Sequence, residues 1–239
     1  MRVSFIRWIY FLLAKLSIID NPPDEFYTII KNNRSLFLHV DSPVTLVIIM
    51  SLILITGMPG VGKTTIMRKL SDELLTRHLP ITGFYTEEVR DTRSGDRLGF
   101  DVVTFTGERA PLARIGSRAP CVGRYSVCVA EFEHLALPAL DARRQLPKTG
   151  ALLLDEIGRM ELKSSAFIGR MNAIVREVTA GKLPFIATIP LKAAGMDVIE
   201  QLKRITGCQI FHVKPSNREQ MYDEVRKAAL LMIGTVLPR

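Results

Sequence analysis

From residue 51 onward, apolar residues follow two alternating patterns. Short continuous apolar runs, such as Leu52–Ile55 and Ala151–Leu154, are typical of strands that are buried on both faces of a parallel sheet. Between such runs, apolar residues recur at helical spacing, as at Ile66, Leu70 and Leu74. Alternating strands and helices predict an α/β fold, a three-layer sandwich around a mainly parallel central sheet.

The second half of the chain continues this alternation. We expect a helix over Glu131–Arg144, kinked or ended by Pro138, and another over Phe167–Val178. Strands are predicted at Leu183–Ile189 and Gln209–Val213.

A glycine-rich loop follows the first predicted strand at once. Gly57–Thr64 reads GMPGVGKT and matches G-x-x-x-x-G-K-[ST]. Glycines let backbone N–H groups approach phosphate, and the next helix adds the positive end of its dipole. Lys63 is expected on the β- and γ-phosphates and Thr64 on Mg²⁺, which is the predicted cofactor. The alternative is a glycine-rich turn of an unrelated α/β fold. The residues of this predicted site are Gly57, Met58, Pro59, Gly60, Val61, Gly62, Lys63, Thr64 and Thr65.

Two acids end the apolar run Ala151–Leu154. In open α/β sheets, ligands bind at the carboxyl ends of the strands. Asp155 is therefore expected to hold Mg²⁺, and Glu156 to orient and deprotonate an attacking water. An acid pair alone is a weak signal, but it gains weight downstream of a phosphate loop. With the base directly after the magnesium aspartate, we expect one further strand between this strand and the phosphate strand.

Four motifs accompany the phosphate loop. Leu152–Leu162 reads LLLDEIGRMEL, Thr86–Arg90 reads TEEVR, Gly99–Phe105 reads GFDVVTF and Leu135–Pro138 reads LALP. Together with GMPGVGKTT they resemble the THEP-type nucleoside-triphosphatase family, which includes the cancer-related nucleoside-triphosphatases of vertebrates. The resemblance runs from about Ser51 to the C-terminus. It implies a P-loop NTPase that hydrolyses ATP, GTP, CTP and UTP with Mg²⁺ to nucleoside diphosphate and phosphate, with little discrimination among bases.

The region after the phosphate helix is rich in predicted strands. Gly83–Arg90 and Leu98–Phe105 flank a turn at Arg93–Asp96, and shorter strands are expected at Leu112–Ile115 and Tyr125–Val129. This β-rich insertion either extends the sheet edge or forms a flap near the nucleotide. Its charged residues are either functional or simply the solvated charges of a surface hairpin, and the two explanations are equal. The candidates are Glu87, Glu88, Arg90 and Arg97.

Further site residues follow from position in the sequence. Gly158 and Arg159 stand just after the acid pair, and Arg159 is the nearest candidate to stabilise transition-state charge, with Arg90 as another. Glu161 is a candidate partner for one of these cations. Thr188, at the end of a predicted strand, either senses the γ-phosphate or caps the strand.

The last helix begins with a capping pattern, Ser216 followed by Glu219. Asn217 and Arg218 stand at its start, where related P-loop folds approach the nucleotide base. They are predicted base contacts, with simple capping as the alternative.

Composition restricts the cellular setting more than the chemistry. The net charge of +8 favours polyanionic partners, but no dense Lys/Arg block marks a nucleic-acid face, so nucleoside triphosphates are the expected partners and a stable nucleic-acid partner is not. The chain has an odd number of cysteines without C-x-x-C spacing: Cys121, Cys128 and Cys208. This pattern favours reduced thiols in the cytoplasm over disulfide bonds or a zinc site.

Residues 1–49 differ from the rest and are predicted as an N-terminal extension to a domain at 50–239. The apolar run Trp8–Ala14 ends at Lys15, and this run is too short for a membrane span. No A-x-A-like cleavage site of a signal peptide follows it. Our hypothesis is that Met50 is the natural start. A disordered tail or a weak membrane anchor is the alternative.

Two other functions share these motifs. A nucleotide or small-molecule kinase needs an acceptor pocket and usually an arginine-bearing lid, which the insertion between 90 and 125 could supply. A nucleic-acid-linked ATPase is weakly favoured by the positive charge.

Overall fold

The computed structural model describes residues 51–141, 146 and 150–235, so the predictions for residues 1–50 lie outside the described residues. The strands are β1 Leu52–Gly57, β2 Ile81–Arg90, β3 Arg97–Thr104, β4 Arg109–Ile115, β5 Cys121–Val122, β6 Tyr125–Val127, β7 Ala151–Asp155, β8 Phe185–Pro190 and β9 Gln209–Val213. The helices are α1 Lys63–Thr76, α2 Val129–Ala139, α3 Ser165–Thr179, α4 Asp197–Lys203 and α5 Arg218–Thr235, and a 3₁₀ turn covers Glu161–Lys163.

These strands form one sheet in the order β5-β6-β4-β3-β2-β7-β8-β1-β9. From β2 to β9 the neighbouring strands are parallel, and the strands from β3 to β5 add to the β2 edge in antiparallel pairs. The predicted α/β class is confirmed, and the β-rich insertion extends the sheet. β8 lies between β7 and β1, as expected for a chain whose candidate base follows the candidate magnesium ligand.

Both faces of the parallel sheet are covered, which gives the predicted three layers. Alternate side chains of β1 point to opposite faces because a strand has a two-residue period. Leu52 and Leu54 join the core beneath α2, α3 and α4, whereas Ile53 and Ile55 join the core beneath α1 and α5. The continuous apolar run of β1 therefore reflects burial on both sides.

Gly83 in β2 allows close contact between two strands. Its φ is +116°, and a Cβ atom there would lie 1.8 Å from the carbonyl oxygen of Leu153 in β7. Only glycine fits this position, beside the strand that ends at the acid pair.

The end of one helix and two short elements differ from the predictions. α2 ends at Ala139, one residue after Pro138, rather than near Arg144, which lies outside the described residues. The short helix α4 and the two-residue strand β5 were not predicted. Among the described residues, no helix is long and apolar enough to cross a membrane.

Candidate active site

The predicted phosphate loop connects β1 to α1 at the carboxyl end of the parallel sheet. Met58, Pro59 and Gly60 are exposed, whereas Val61 is buried in the core beneath α1 and α5. Gly62 has a φ of +106°, and a Cβ atom there would lie 2.7 Å from Cδ of Arg218. The first part of the loop is therefore exposed to solvent and Val61 anchors it in the core. The side chain of Arg218 lies against Gly62 at the end of the loop.

Lys63 lies where this loop meets α1, and its side chain is folded back over the loop. The Nζ atom donates to the carbonyl oxygens of Gly57 at 3.2 Å and Met58 at 3.3 Å. It also lies 3.6 Å from Oε2 of Glu156, which directly follows β7. The structure therefore brings the predicted phosphate-binding cation and the predicted base into one ion pair.

Asp155 ends β7 and is fully buried. Its Oδ1 atom accepts a hydrogen bond from the hydroxyl of Thr188 in the neighbouring β8. Its Oδ2 atom has no hydrogen-bond partner among the described residues. Burial raises the pKa of Asp155, against the lowering effects of the Thr188 and Thr64 hydroxyls and the charge of Lys63. Thr188 thus orients the carboxyl group and leaves one oxygen available.

That available oxygen fits a magnesium site. Buried polar atoms without partners are rare and costly, and Mg²⁺ prefers carboxylate and hydroxyl oxygens. The hydroxyl of Thr64 is near enough to Asp155 to lower its pKa. Within the described part of the chain, no group of three or more His, Cys, Asp or Glu side chains is arranged to hold a metal. Mg²⁺ at Asp155 and Thr64 would therefore need further oxygens from water or phosphate.

Glu156 is the more accessible acid of the pair, with 31% of its side chain exposed. Its pKa is raised by burial, lowered by the charge of Lys63 and raised again by Asp155. A carboxylate with a raised pKa that reaches the open side of the loop is suited to proton transfer.

Gly158 and Glu161 form the turn that follows this pair. Glu161 is only 4% exposed, and its Oε2 atom accepts a hydrogen bond from the backbone N–H of Gly158 at 3.0 Å. Burial raises the pKa of Glu161 to about 8, and the charges of Glu156 and Asp155 add to this effect. Glu161 therefore bonds to the backbone rather than to Arg159 or Arg90, its predicted partners.

The two arginines considered for transition-state stabilisation lie in different settings. Arg159 is exposed, and its guanidinium makes no hydrogen bond or ion pair with another described residue. Arg90 donates to the carbonyl oxygen of Gly95 and to Glu88, which also accepts from Arg97. Arg90 is thus held within the hairpin, and Arg159 is the unrestrained candidate.

Glu87, the other candidate charge of the insertion, belongs to a second network on the sheet. It pairs with Arg68 of α1 at 3.1 Å and also accepts from Arg109. Arg109 in turn donates to Asp101 at 3.0 Å, and Arg114 donates to the same carboxylate. The two Asp101 pairs join the neighbouring strands β3 and β4, whereas Glu87 links β2 to β4 across β3 and to α1. These charges therefore pair with one another on the insertion, as in a solvated hairpin.

Asn217 and Arg218 have different surroundings at the start of α5. The Oδ1 atom of Asn217 accepts from the N–H of Lys214 at 2.8 Å, and its Nδ2 atom donates to the carbonyl oxygen of His212 at 3.1 Å. Both polar groups of Asn217 therefore hold the loop between β9 and α5. The contact of Arg218 with Gly62 was not predicted, and no local sequence pattern indicates it.

The fold and this site define an α/β P-loop protein with a phosphate loop, an adjacent carboxylate pair and a threonine that orients the buried aspartate. A family model described as NTPase matches residues 52–226. The human cancer-related nucleoside-triphosphatase is 38% identical over 182 residues, which cover 72% of this chain and 93% of the human protein. The nucleoside-triphosphatase THEP1 of Aquifex aeolicus is 34% identical over 177 residues, which cover 72% of this chain and 96% of that protein.

Two solved structures are similar to this chain. The crystal structure of THEP1 from Aquifex aeolicus has a TM-score of 0.62 and 33% identity, covering 72% of this chain and 95% of that chain. The solution structure of the human cancer-related nucleoside triphosphatase has a TM-score of 0.62 and 37% identity, covering 74% of this chain and 95% of the human chain. The chain therefore belongs to the THEP-type NTPase family.

Proposed function

We propose that this chain hydrolyses nucleoside triphosphates to nucleoside diphosphate and phosphate, with Mg²⁺ as cofactor and with broad tolerance of the base. The observation that carries the proposal is the 3.6 Å contact between Lys63 Nζ and Glu156 Oε2. A phosphate-loop lysine marks the position of the β- and γ-phosphates. A carboxylate in contact with it is within reach of a water that faces the γ-phosphorus. The relatives are named nucleoside-triphosphatases, which supports the same reaction.

The phosphate loop binds and orients the triphosphate in this proposal. Its backbone N–H groups and the N-terminus of α1 face the phosphates, and Lys63 moves from its own loop carbonyls to their oxygens. Asp155 and Thr64 would hold Mg²⁺, which when bound neutralises charge on the β- and γ-phosphates. Thr188 keeps Asp155 in its ligand orientation.

Glu156 orients the attacking water and takes its proton. The raised pKa of its carboxyl group makes it a stronger base than an ordinary glutamate. When phosphates occupy Lys63, the Lys63–Glu156 pair is exchanged for a Lys63–phosphate pair. Glu156 is then released from the lysine to act on water.

Broad base tolerance follows from the residues at the start of α5. Asn217 uses its side-chain oxygen and its side-chain nitrogen in hydrogen bonds to its own loop, so its amide is fixed there rather than against the edge of a base. Arg218 presents a planar guanidinium, which stacks on any base face with little selectivity. Arg159, exposed four residues after Asp155, is the proposed cation for transition-state charge.

The test is phosphate release from ATP, GTP, CTP and UTP with Mg²⁺, using the full chain and its Glu156→Gln and Lys63→Ala variants. Glu88→Gln is the matched control because Glu88 is an acid paired within the insertion hairpin. We expect release from all four nucleotides, its collapse in both site variants and its retention in the control. Tight nucleotide binding without phosphate release would reject hydrolysis in favour of a kinase that needs an acceptor. Release that depends on added RNA or DNA would favour the nucleic-acid-linked ATPase.

A further inference from the structure

A buried carboxyl group lies next to the proposed base without having a role in the steps above. Glu161 begins the 3₁₀ turn Glu161–Lys163, at a position where most glutamates are solvated, yet it is 4% exposed. We propose that Glu161 is a positioning residue for hydrolysis, which holds the turn at Gly158 and thereby sets the place of the Glu156 carboxylate. This inference rests on the proposed function, since it assigns Glu161 to the same reaction.

Gly158 is the point at which the two glutamates meet. A Cβ atom on Gly158 would lie 2.8 Å from Oε2 of Glu161 and 3.4 Å from Oε1 of Glu156. The space that a side chain would fill is therefore shared by the two carboxyl groups. Because Glu161 Oε2 also accepts from the Gly158 N–H at 3.0 Å, the position of the turn depends directly on Glu161.

The surroundings of Glu161 favour a neutral carboxyl group that fixes the turn over an ionised carboxylate. Among the described residues, Glu161 forms no ion pair with a lysine, arginine or histidine. A buried carboxyl group without a cation is stable mainly in its neutral form. Burial raises the pKa of Glu161 to about 8, although the N–H groups of Glu161 and Gly158 act to lower it. A neutral Glu161 accepts the Gly158 hydrogen bond and adds no negative charge beside Glu156, Asp155 and the triphosphate.

The required property is therefore an oxygen acceptor of glutamate size at position 161, not a negative charge. Glu161→Gln keeps an acceptor oxygen of the same shape. Glu161→Met keeps an apolar side chain of similar volume but leaves the Gly158 N–H without its partner. Gly158→Ala tests the same contact from the other side, because its Cβ atom would lie 2.8 Å from Glu161 Oε2 and displace that carboxyl group from the turn.

The experiment measures kcat and KM for Mg-ATP hydrolysis by the full chain and these three variants, with the Kd of a non-hydrolysable ATP analogue measured alongside. We expect Glu161→Met and Gly158→Ala to lower kcat at least about tenfold while KM and Kd stay within about threefold, because a displaced base affects the transition state and not nucleotide binding. Glu161→Gln should restore kcat to within about threefold of the unmodified chain. The control is Glu177→Met, which removes another buried glutamate, one that lies 3.5 Å from Arg170 in α3. It is expected to lower the Tm without lowering kcat at temperatures where the protein is folded.

The outcomes separate this inference from the proposed function. Unmodified protein that releases no phosphate rejects the hydrolase and the role of Glu161 with it. Unmodified protein that hydrolyses ATP while Glu161→Met keeps full kcat rejects the role of Glu161 alone. Equal losses in Glu161→Gln and Glu161→Met also overturn it, since they would show that the acid itself is required. If Glu161→Met does not fold, the kcat of Gly158→Ala takes its place in the comparison with Glu161→Gln. Full kcat in Gly158→Ala, or equal losses of kcat in the two variants, then rejects the role of Glu161.

Discussion

Lys63 and Glu156 form an ion pair, with Nζ 3.6 Å from Oε2, although Lys63 begins the helix that follows β1 and Glu156 directly follows β7. The two strands are not neighbours, since β8 lies between them. The Glu156 side chain therefore reaches the lysine across the width of one strand. In the proposed mechanism this geometry connects nucleotide binding to the availability of Glu156 as a base, because phosphate and Glu156 would compete for the same ammonium group.

Glu156→Gln should separate hydrolysis from binding. Loss of a positioned general base lowers kcat by about 10²–10⁴-fold. The Kd for Mg-nucleotide should stay the same or fall, because the amide neither competes for Lys63 nor repels the triphosphate. Calorimetric titration with ATP and single-turnover phosphate release measure the two effects. Weaker binding together with near-normal kcat would assign Glu156 to the nucleotide and not to the water.

Thr188→Val should weaken both folding and magnesium binding. The substitution preserves shape but removes the hydroxyl that donates to buried Asp155, and an unsatisfied buried acceptor costs about 1–3 kcal/mol. Urea unfolding gives the stability, and the dependence of phosphate release on Mg²⁺ concentration gives the metal affinity.

The matched control for this change is Thr179→Val, since the Thr179 hydroxyl donates to the carbonyl oxygen of Val175 on the exposed end of α3. Its free energy of unfolding should change by less than about 0.5 kcal/mol, as is usual for a surface substitution. If Thr188→Val is as mild as this control, Thr188 does not orient Asp155.

The sequence patterns predicted those parts of the site that are local in the chain. The phosphate loop and the acid pair each lie within a few residues of a buried strand, so periodicity and residue type were sufficient to find them. The extra strand between β7 and β1 was also expected, on the hypothesis that a catalytic base directly follows an aspartate that binds magnesium, and the structure has β8 there. The helix α4 escaped prediction because seven residues are too few for a clear apolar period.

Contacts between distant segments had no such local signal. Arg218 meets Gly62 only because β9 pairs with β1 and brings the start of α5 to the phosphate loop. Glu161 resembles an ordinary surface acid in the sequence. Its burial depends on the turn at Gly158 and on the packing of β7, which only the folded chain shows.

Removal of the titrating carboxyl group at position 161 should change how the free energy of unfolding depends on pH. The carboxyl group of an ordinary glutamate has a pKa of 4.5, and burial raises that of Glu161 to about 8. Between these values the folded state holds a proton that the unfolded state releases, so the free energy of unfolding falls as pH rises. Above about pH 8 both states are ionised at this residue and the loss is complete.

Glu161→Gln has no titrating group at this position and should lose less stability between pH 5 and pH 9. The expected difference is up to a few kcal/mol, since one pKa unit corresponds to about 1.4 kcal/mol. Nucleotide-free protein unfolded by urea at each pH measures it. Asp155 and Glu156 are present in both proteins, so the difference between the two curves reports Glu161 together with its electrostatic coupling to these two carboxyl groups. Parallel curves would show that Glu161 is ionised in the folded chain.

Arg218→Ala should weaken the binding of all four nucleoside triphosphates by a similar factor. The side chain lies against Gly62 at the end of the phosphate loop, and a stacking or phosphate contact from there does not depend on the identity of the base. We expect Kd to rise about tenfold for each nucleotide, which corresponds to about 1.4 kcal/mol. Arg218→Lys should restore little of this loss if the planar guanidinium is the binding group, and most of it if charge alone matters. Arg204→Ala, which removes an exposed arginine at the end of α4, is the control and should leave every Kd unchanged. A loss confined to one base would show that Arg218 reads base identity, and it would overturn the proposal that this site accepts all four.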